Sequence, residues 1–141
     1  MKRITILLIL VTLTLSVSAC GPSGTPFPVD LVQADPGNPA SVVTAFFTAR
    51  SAFNADAAMQ YVNESTVISN PFGTFTGTAQ IRQDVVQGMI DENTQFTVLN
   101  PQTNGDIVTF DLQVYVNGQE TDVLSGQAVV QNGIIVGLTL E

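Results

Sequence analysis

The sequence predicts an α+β domain in which helices come first and an antiparallel sheet follows. Two patterns carry this. Up to Asn93 the apolar residues recur mainly at the three- and four-residue spacing of helices; after it they alternate with polar residues at the two-residue spacing of strands. Two Asn-Gly pairs, Asn117-Gly118 and Asn132-Gly133, then divide the alternating half, and both residue types tolerate the positive φ that tight hairpin turns require.

The chain begins with a segment of a different kind. Lys2 and Arg3 precede an apolar stretch of about 14 residues, Ile4 to Val17, and small residues follow. The stretch is shorter than the roughly 20 residues of an ordinary membrane-spanning helix. Val17-Ser18-Ala19-Cys20-Gly21 resembles the bacterial lipobox, which implies cleavage before Cys20 and lipid attachment to its thiol. Cys20 is the single cysteine, so no internal disulfide can form. The expected division is a signal peptide at 1–19, a lipidated cysteine and tether at 20–39, and one domain at 40–141. The tether is rich in proline and glycine, which resist regular structure. Twenty extended residues reach at most roughly 66–72 Å. The expected location is the cell envelope, with the domain lipid-anchored on the extracytoplasmic side of a membrane.

Within the domain, Asn38-Pro39 supplies a cap and a first-turn proline. Val42, Val43, Phe46, Phe47, Ala49 and Phe53 form the apolar stripe of a first helix. Asn54-Ala55-Asp56 interrupts it, and Ala57, Ala58, Tyr61 and Val62 form the apolar side of a short second helix. Thr66-Val67-Ile68 is β-branched and reads as a short strand. Asn70-Pro71-Phe72-Gly73 is a turn, and Thr74-Phe75-Thr76 a second extended piece. Thr78 is the expected cap of a third helix carrying Ile81, Val85, Val86, Met89 and Ile90 on one face. Phe96 and Val98 open a four-stranded meander. Val108, Phe110, Leu112, Val114 and Val116 alternate with Thr109, Asp111, Gln113 and Tyr115, and the last strands run from about Glu120 to Gln131 and from Ile134 to Leu140.

Composition excludes several chemistries. After Cys20 is exposed there are two basic residues, Arg50 and Arg82, against twelve acids, a side-chain charge of −10. Nucleic acid and anionic membranes need a cationic surface, so neither is an expected partner. Histidine is absent, which rules out Ser-His-Asp and Cys-His nucleophile systems. With one lipidated cysteine the usual zinc sites cannot be built either. Asp91-Glu92 is the only adjacent acidic pair and reads as a helix end. No metal and no cofactor is expected.

The ordered segments Val42-Val43-Thr44-Ala45-Phe46-Phe47, Asn54-Ala55-Asp56, Ser65-Thr66-Val67, Asn70-Pro71-Phe72-Gly73 and Gly77-Thr78-Ala79-Gln80-Ile81-Arg82 resemble the SnoaL-like branch of the nuclear transport factor 2-like superfamily. Ketosteroid isomerases are among its relatives. The resemblance spans about residues 40–141 and implies a cone: a curved antiparallel sheet wrapped around the N-terminal helices, enclosing an apolar pocket. It also implies that two copies can pair through the outer sheet face. Isomerases of this kind need a carboxylate base and two buried acids that hydrogen-bond an enolate oxygen. The resemblance puts Asn70 at the base position, and an amide cannot accept a proton at useful pH. It puts Phe46 and Gln127 at the two oxyanion positions. Epoxide hydrolase relatives would need an arginine inside the pocket; Arg50 and Arg82 are the candidates, and both are expected at the surface.

The first functional expectation is therefore a non-catalytic lipoprotein whose domain binds a small apolar ligand or acts as an interaction module. Phe46, Phe53, Tyr61, Asn70, Phe72, Phe110, Tyr115 and Gln127, with Phe75, are the pocket candidates. The alternative is an isomerase, cyclase or hydrolase with a relocated acid. Asp111 is its candidate, provided that the face it shares with Tyr115 lines the cone; otherwise both are surface residues.

Overall fold

A computed structural model describes residues 33–141. The leader, Cys20 and most of the tether lie outside the described residues. Among the described residues no helix is long and apolar enough to cross a membrane.

Helix α1 spans Pro39–Ser51. The Asn38 side chain accepts a hydrogen bond from the Ser41 amide at 3.3 Å, and Pro39 occupies the first turn, where its missing N–H leaves nothing unpaired. The helix stops in an unusual way. Phe53 adopts φ 56°, a left-handed conformation that costs a residue with a Cβ roughly 1–2 kcal/mol. Two backbone bonds of 2.9 Å hold the turn, from Phe53 N–H to Arg50 O and from Asn54 N–H to Ala49 O. Asn54 then caps α2 (Ala55–Met59) by accepting from the Ala57 amide at 2.9 Å.

Strands β1 (Val67–Asn70) and β2 (Gly73–Thr76) form a short hairpin. A continuous helical segment follows: α3 (Thr78–Gln80), a π-helical stretch (Ile81–Gln87) and α4 (Gly88–Asp91). Its start differs from expectation. Gly77, with φ 80°, takes the cap position and Thr78 makes no capping bond; its hydroxyl bonds the Glu64 carboxylate instead. The sequence pattern also carried no sign of the π-helical stretch.

Strands β3 (Thr94–Asn104), β4 (Ile107–Val116), β5 (Gln119–Gln131) and β6 (Ile134–Leu140) form the meander. Asn117 and Asn132 have φ 53° and 52°, each followed by glycine at 77°, the geometry expected of the two Asn-Gly turns. The sheet has six strands in the order β2-β1-β6-β5-β4-β3. All neighbours are antiparallel except β1 and β6, which run parallel. Thr66 helps to place β1: its buried hydroxyl donates to Ile135 O at 2.7 Å and accepts from the Asn63 amide at 2.9 Å.

The sheet curves around α1. From α1, Val42, Val43, Phe46, Phe47 and Ala49 meet Val108, Phe110 and Leu112 of β4, Ala128 and Val130 of β5, and Leu138 and Leu140 of β6. Burying each large apolar side chain contributes roughly 1.5–3 kcal/mol, so this one cluster is the main source of stability.

Candidate functional site

The strongest departure from the sequence reading is Arg50. It was expected at the surface and is only 2% exposed, inside the cone near the end of α1. Its Nη2 donates to the carbonyl of Val85 in the π-helical stretch at 3.0 Å. Its guanidinium carbon lies 4.4 Å from the Phe96 ring centroid and 5.4 Å from those of Phe46 and Phe47. Nε is buried without a hydrogen-bond partner. Burial pulls the pKa down from the ordinary arginine value to about 9, so the group remains a cation at neutral pH. Among the described residues the ion pair is Arg82 with Asp56, at the surface as expected for Arg82; no carboxylate pairs with Arg50.

Helical spacing could have found it. Arg50 lies four residues after Phe46 and three after Phe47, in the middle of the α1 apolar stripe. Residue type argued the other way, because arginine is rarely buried without a partner.

The aromatic candidates separate into groups. Phe46 and Phe47 meet edge to face at 5.2 Å, and Phe47 also contacts Phe96 at 5.6 Å and Phe110 at 5.7 Å. Phe46 and Phe110 thus belong to the interior cluster, and Phe75 packs against it. Phe53 is half-buried at the left-handed turn after α1. Tyr61 lines a separate recess of about 190 Å³ with Gln60, Pro36, Val42, Asn132 and Gly133. That volume is below the range of pockets for drug-sized ligands, about 300–1,000 Å³. Phe72 is 80% exposed in the β1–β2 turn and joins neither group, contrary to its expected place in a pocket.

The isomerase-like positions carry no acid–base apparatus. Asn70 closes β1, and its Oδ1 accepts from the amides of Phe72 at 2.9 Å and Gly73 at 3.2 Å. The side chain is committed to the hairpin. Phe46 has no hydroxyl. Gln127 was expected inside and is exposed on the outer face, opposite Thr109 on β4 and Thr139 on β6. Its neighbours Gly126 and Ala128 are the buried residues of that stretch, and neither side chain can donate a hydrogen bond.

The relocated acid also lies outside. Val108, Phe110 and Leu112 are buried, so Thr109, Asp111, Gln113 and Tyr115 belong to the opposite, outer face of β4. Asp111 accepts from Asn100 Nδ2 at 3.2 Å, and half-buried Tyr115 stands opposite Gln95 and Glu120. The condition set for Asp111 as a pocket acid is not met. Among the described residues no group of three His, Cys, Asp or Glu is placed to hold a metal.

Comparison with known proteins locates the fold. No curated protein matches the chain. Solved structures do. A nuclear transport factor 2-like protein of unknown function from Cytophaga hutchinsonii aligns with TM-score 0.63 and 21% identity over 78% of this chain and 91% of its own. A protein of Sinorhizobium meliloti proposed to be a polyketide cyclase aligns with TM-score 0.63 and 19% identity, covering 71% and 93%. A hypothetical protein from Catenulispora acidiphila with a ketosteroid isomerase-like fold, solved with trimethylamine, aligns with TM-score 0.58 and 20% identity, covering 71% and 83%. The family model for the SnoaL-like domain matches residues 43–136, from the second turn of α1 into β6, and the chain belongs to that family, with the nuclear transport factor 2-like fold.

Proposed function

We propose that the chain is a lipid-anchored envelope protein whose SnoaL-like domain binds a small, largely apolar ligand and catalyses no reaction on it. The observation that carries the non-catalytic part is the state of Asn70. At the position where isomerase relatives place their base, this chain has an amide whose oxygen is held by two backbone N–H groups. An oxygen fixed in this way cannot remove a proton from a ligand. The buried Phe46 and the outward Gln127 agree with it. The binding part is supported by the fold, one of whose solved neighbours is a complex with the small molecule trimethylamine, and by the aromatic side chains gathered around Arg50. Anchoring is supported by the residues leading into Cys20.

Native mass spectrometry of the protein purified from its own envelope under mild conditions tests the binding reading. A small apolar molecule carried at fixed stoichiometry is the expected result. A ligand-free dimer would instead favour an interaction module. Turnover of a ketosteroid by the purified chain would overturn the non-catalytic reading. For the anchor, Cys20→Ser should move the protein from the membrane fraction to the soluble one, and an unchanged distribution would remove that part of the proposal.

A further inference from the structure

We infer that the interior at Arg50 is an anion subsite and that the ligand of this domain is an apolar carboxylate. The inference rests on the ligand-binding reading above and names the chemistry of the molecule bound.

Arg50 is held but not neutralised. The three ring faces attract the cation, and the Val85 carbonyl accepts one of its five N–H donors, but none of these carries a net negative charge. An uncompensated buried ion is among the most destabilising features a core can contain. An apolar residue of similar length would fill the space without that penalty. Arginine at this position therefore serves something other than packing.

Two buried side-chain atoms lack partners among the described residues, one on the guanidinium over the Phe96 ring and one on the strand that carries that ring. Arg50 Nε is one and Thr94 Oγ1 is the other. Thr94 is 3% exposed and lies two residues before Phe96 on β3, so both side chains project from one face of the strand. Arg50 sits over the Phe96 ring itself. A charged N–H and a hydroxyl at one corner of the cone are the two donors that the two oxygens of a carboxylate accept. The rings of Phe46, Phe47 and Phe96 offer apolar contact to the rest of such a molecule.

The charge distribution favours this corner further. Arg50 and Arg82 are the cations of the domain, and Arg82 is already paired with Asp56. Against an acidic surface, Arg50 is the cation left without a counter-charge, so an organic anion entering the fold is drawn to it.

Calorimetric titration of the full-length protein with benzoate, and with neutral benzamide of the same shape, tests the inference. Benzoate should bind saturably at one site, about tenfold or more tighter than benzamide, as expected when a hydrogen bond to a charged group is lost. Arg50→Met should abolish the preference, and Thr94→Val should weaken benzoate about threefold to tenfold. The Arg50 Nε–H proton resonance should move on adding benzoate. Equal binding of benzoate and benzamide would overturn the anion subsite and leave the apolar-ligand reading standing. Binding of neither would overturn both. Benzoate binding that survives Arg50→Met, or an Nε–H resonance that does not respond, would put the anion elsewhere and leave a buried water as the partner of Nε.

Discussion

Arg50 Nη2 reaches across from α1 to the carbonyl of Val85 at 3.0 Å, joining the end of the central helix to the π-helical stretch that packs beside it. A π-helical stretch is wider than an α-helix and disturbs the regular i→i−4 ladder, which leaves carbonyls free to serve other donors. Here the carbonyl of Val85, within that stretch, accepts from a buried cation. The contact is a single neutral acceptor for a full positive charge, and it sets the balance at this site.

Arg50→Met in the ligand-free protein should therefore be neutral or stabilising by about 1–4 kcal/mol, the range seen when buried ionic groups are replaced by apolar ones. Methionine retains much of the contact with Phe46, Phe47 and Phe96. Urea unfolding would show the midpoint unchanged or raised with the slope unchanged. A loss above about 2 kcal/mol would mean that the ring contacts and the Val85 bond outweigh the burial penalty.

The same residue sets a pH dependence. Burial lowers the Arg50 pKa in the folded chain to about 9, whereas the unfolded chain holds the proton to a much higher pH. Between those values the unfolded state binds more protons, so stability from this group rises with pH. Below 9 both states are protonated and the penalty of burial is constant. The stability difference between wild type and Arg50→Met should be flat from pH 6 to about 8 and should shift in favour of wild type above about 9. Paired urea titrations at pH 7 and pH 10 measure this, since groups common to both chains cancel. A difference that changes between pH 6 and 8 would assign the effect to another group.

How far the sequence exposes this arrangement depends on how strong the local pattern is. The alternation of Val108, Phe110 and Leu112 with Thr109 and Asp111 separates an apolar face of β4 from a polar one, and the Asn-Gly pairs fix the turns. Around Gln127 the pattern is weak: Ser125-Gly126-Gln127-Ala128 contains only small inward residues, so alternation cannot say which way Gln127 points. Gly126 is small for a tertiary reason, the Phe110 ring, which no local pattern records. Arg50 was misplaced because its type outweighed its spacing, although its spacing was right.

Gly126 and Phe110 face each other across β5 and β4. A Cβ built on Gly126 would lie 2.4 Å from two atoms of the Phe110 ring. Gly126→Ala should therefore displace the ring from contact with Phe47 and destabilise by about 1–3 kcal/mol, as overpacked cores do. Phe110→Leu in the same chain removes the clash and should make the pair less destabilising than the sum of the single changes. Additive effects in thermal unfolding would show that the ring is not what keeps position 126 small.

The edge of the sheet gives the last test. β3 is an edge strand, and α1 covers part of it through Ser51. The Ser51 hydroxyl accepts from the Phe96 amide at 2.7 Å and donates to the Phe96 carbonyl at 2.9 Å. One side chain thus does what a neighbouring strand would do for that residue, and Gln95 Nε2 adds a bond to Ser51 O at 3.2 Å. Ser51→Ala leaves both backbone groups of Phe96 without partners at a half-buried position, which should destabilise by about 1–3 kcal/mol. The loss should be local as well as global. Phe96 is the ring nearest the Arg50 guanidinium, so freeing its backbone loosens the wall of the proposed subsite. Amide exchange at Phe96 should accelerate more than at Leu112 in the centre of the sheet. Equal acceleration at both would mean that Ser51 contributes only to global stability and does not hold the Phe96 wall in place.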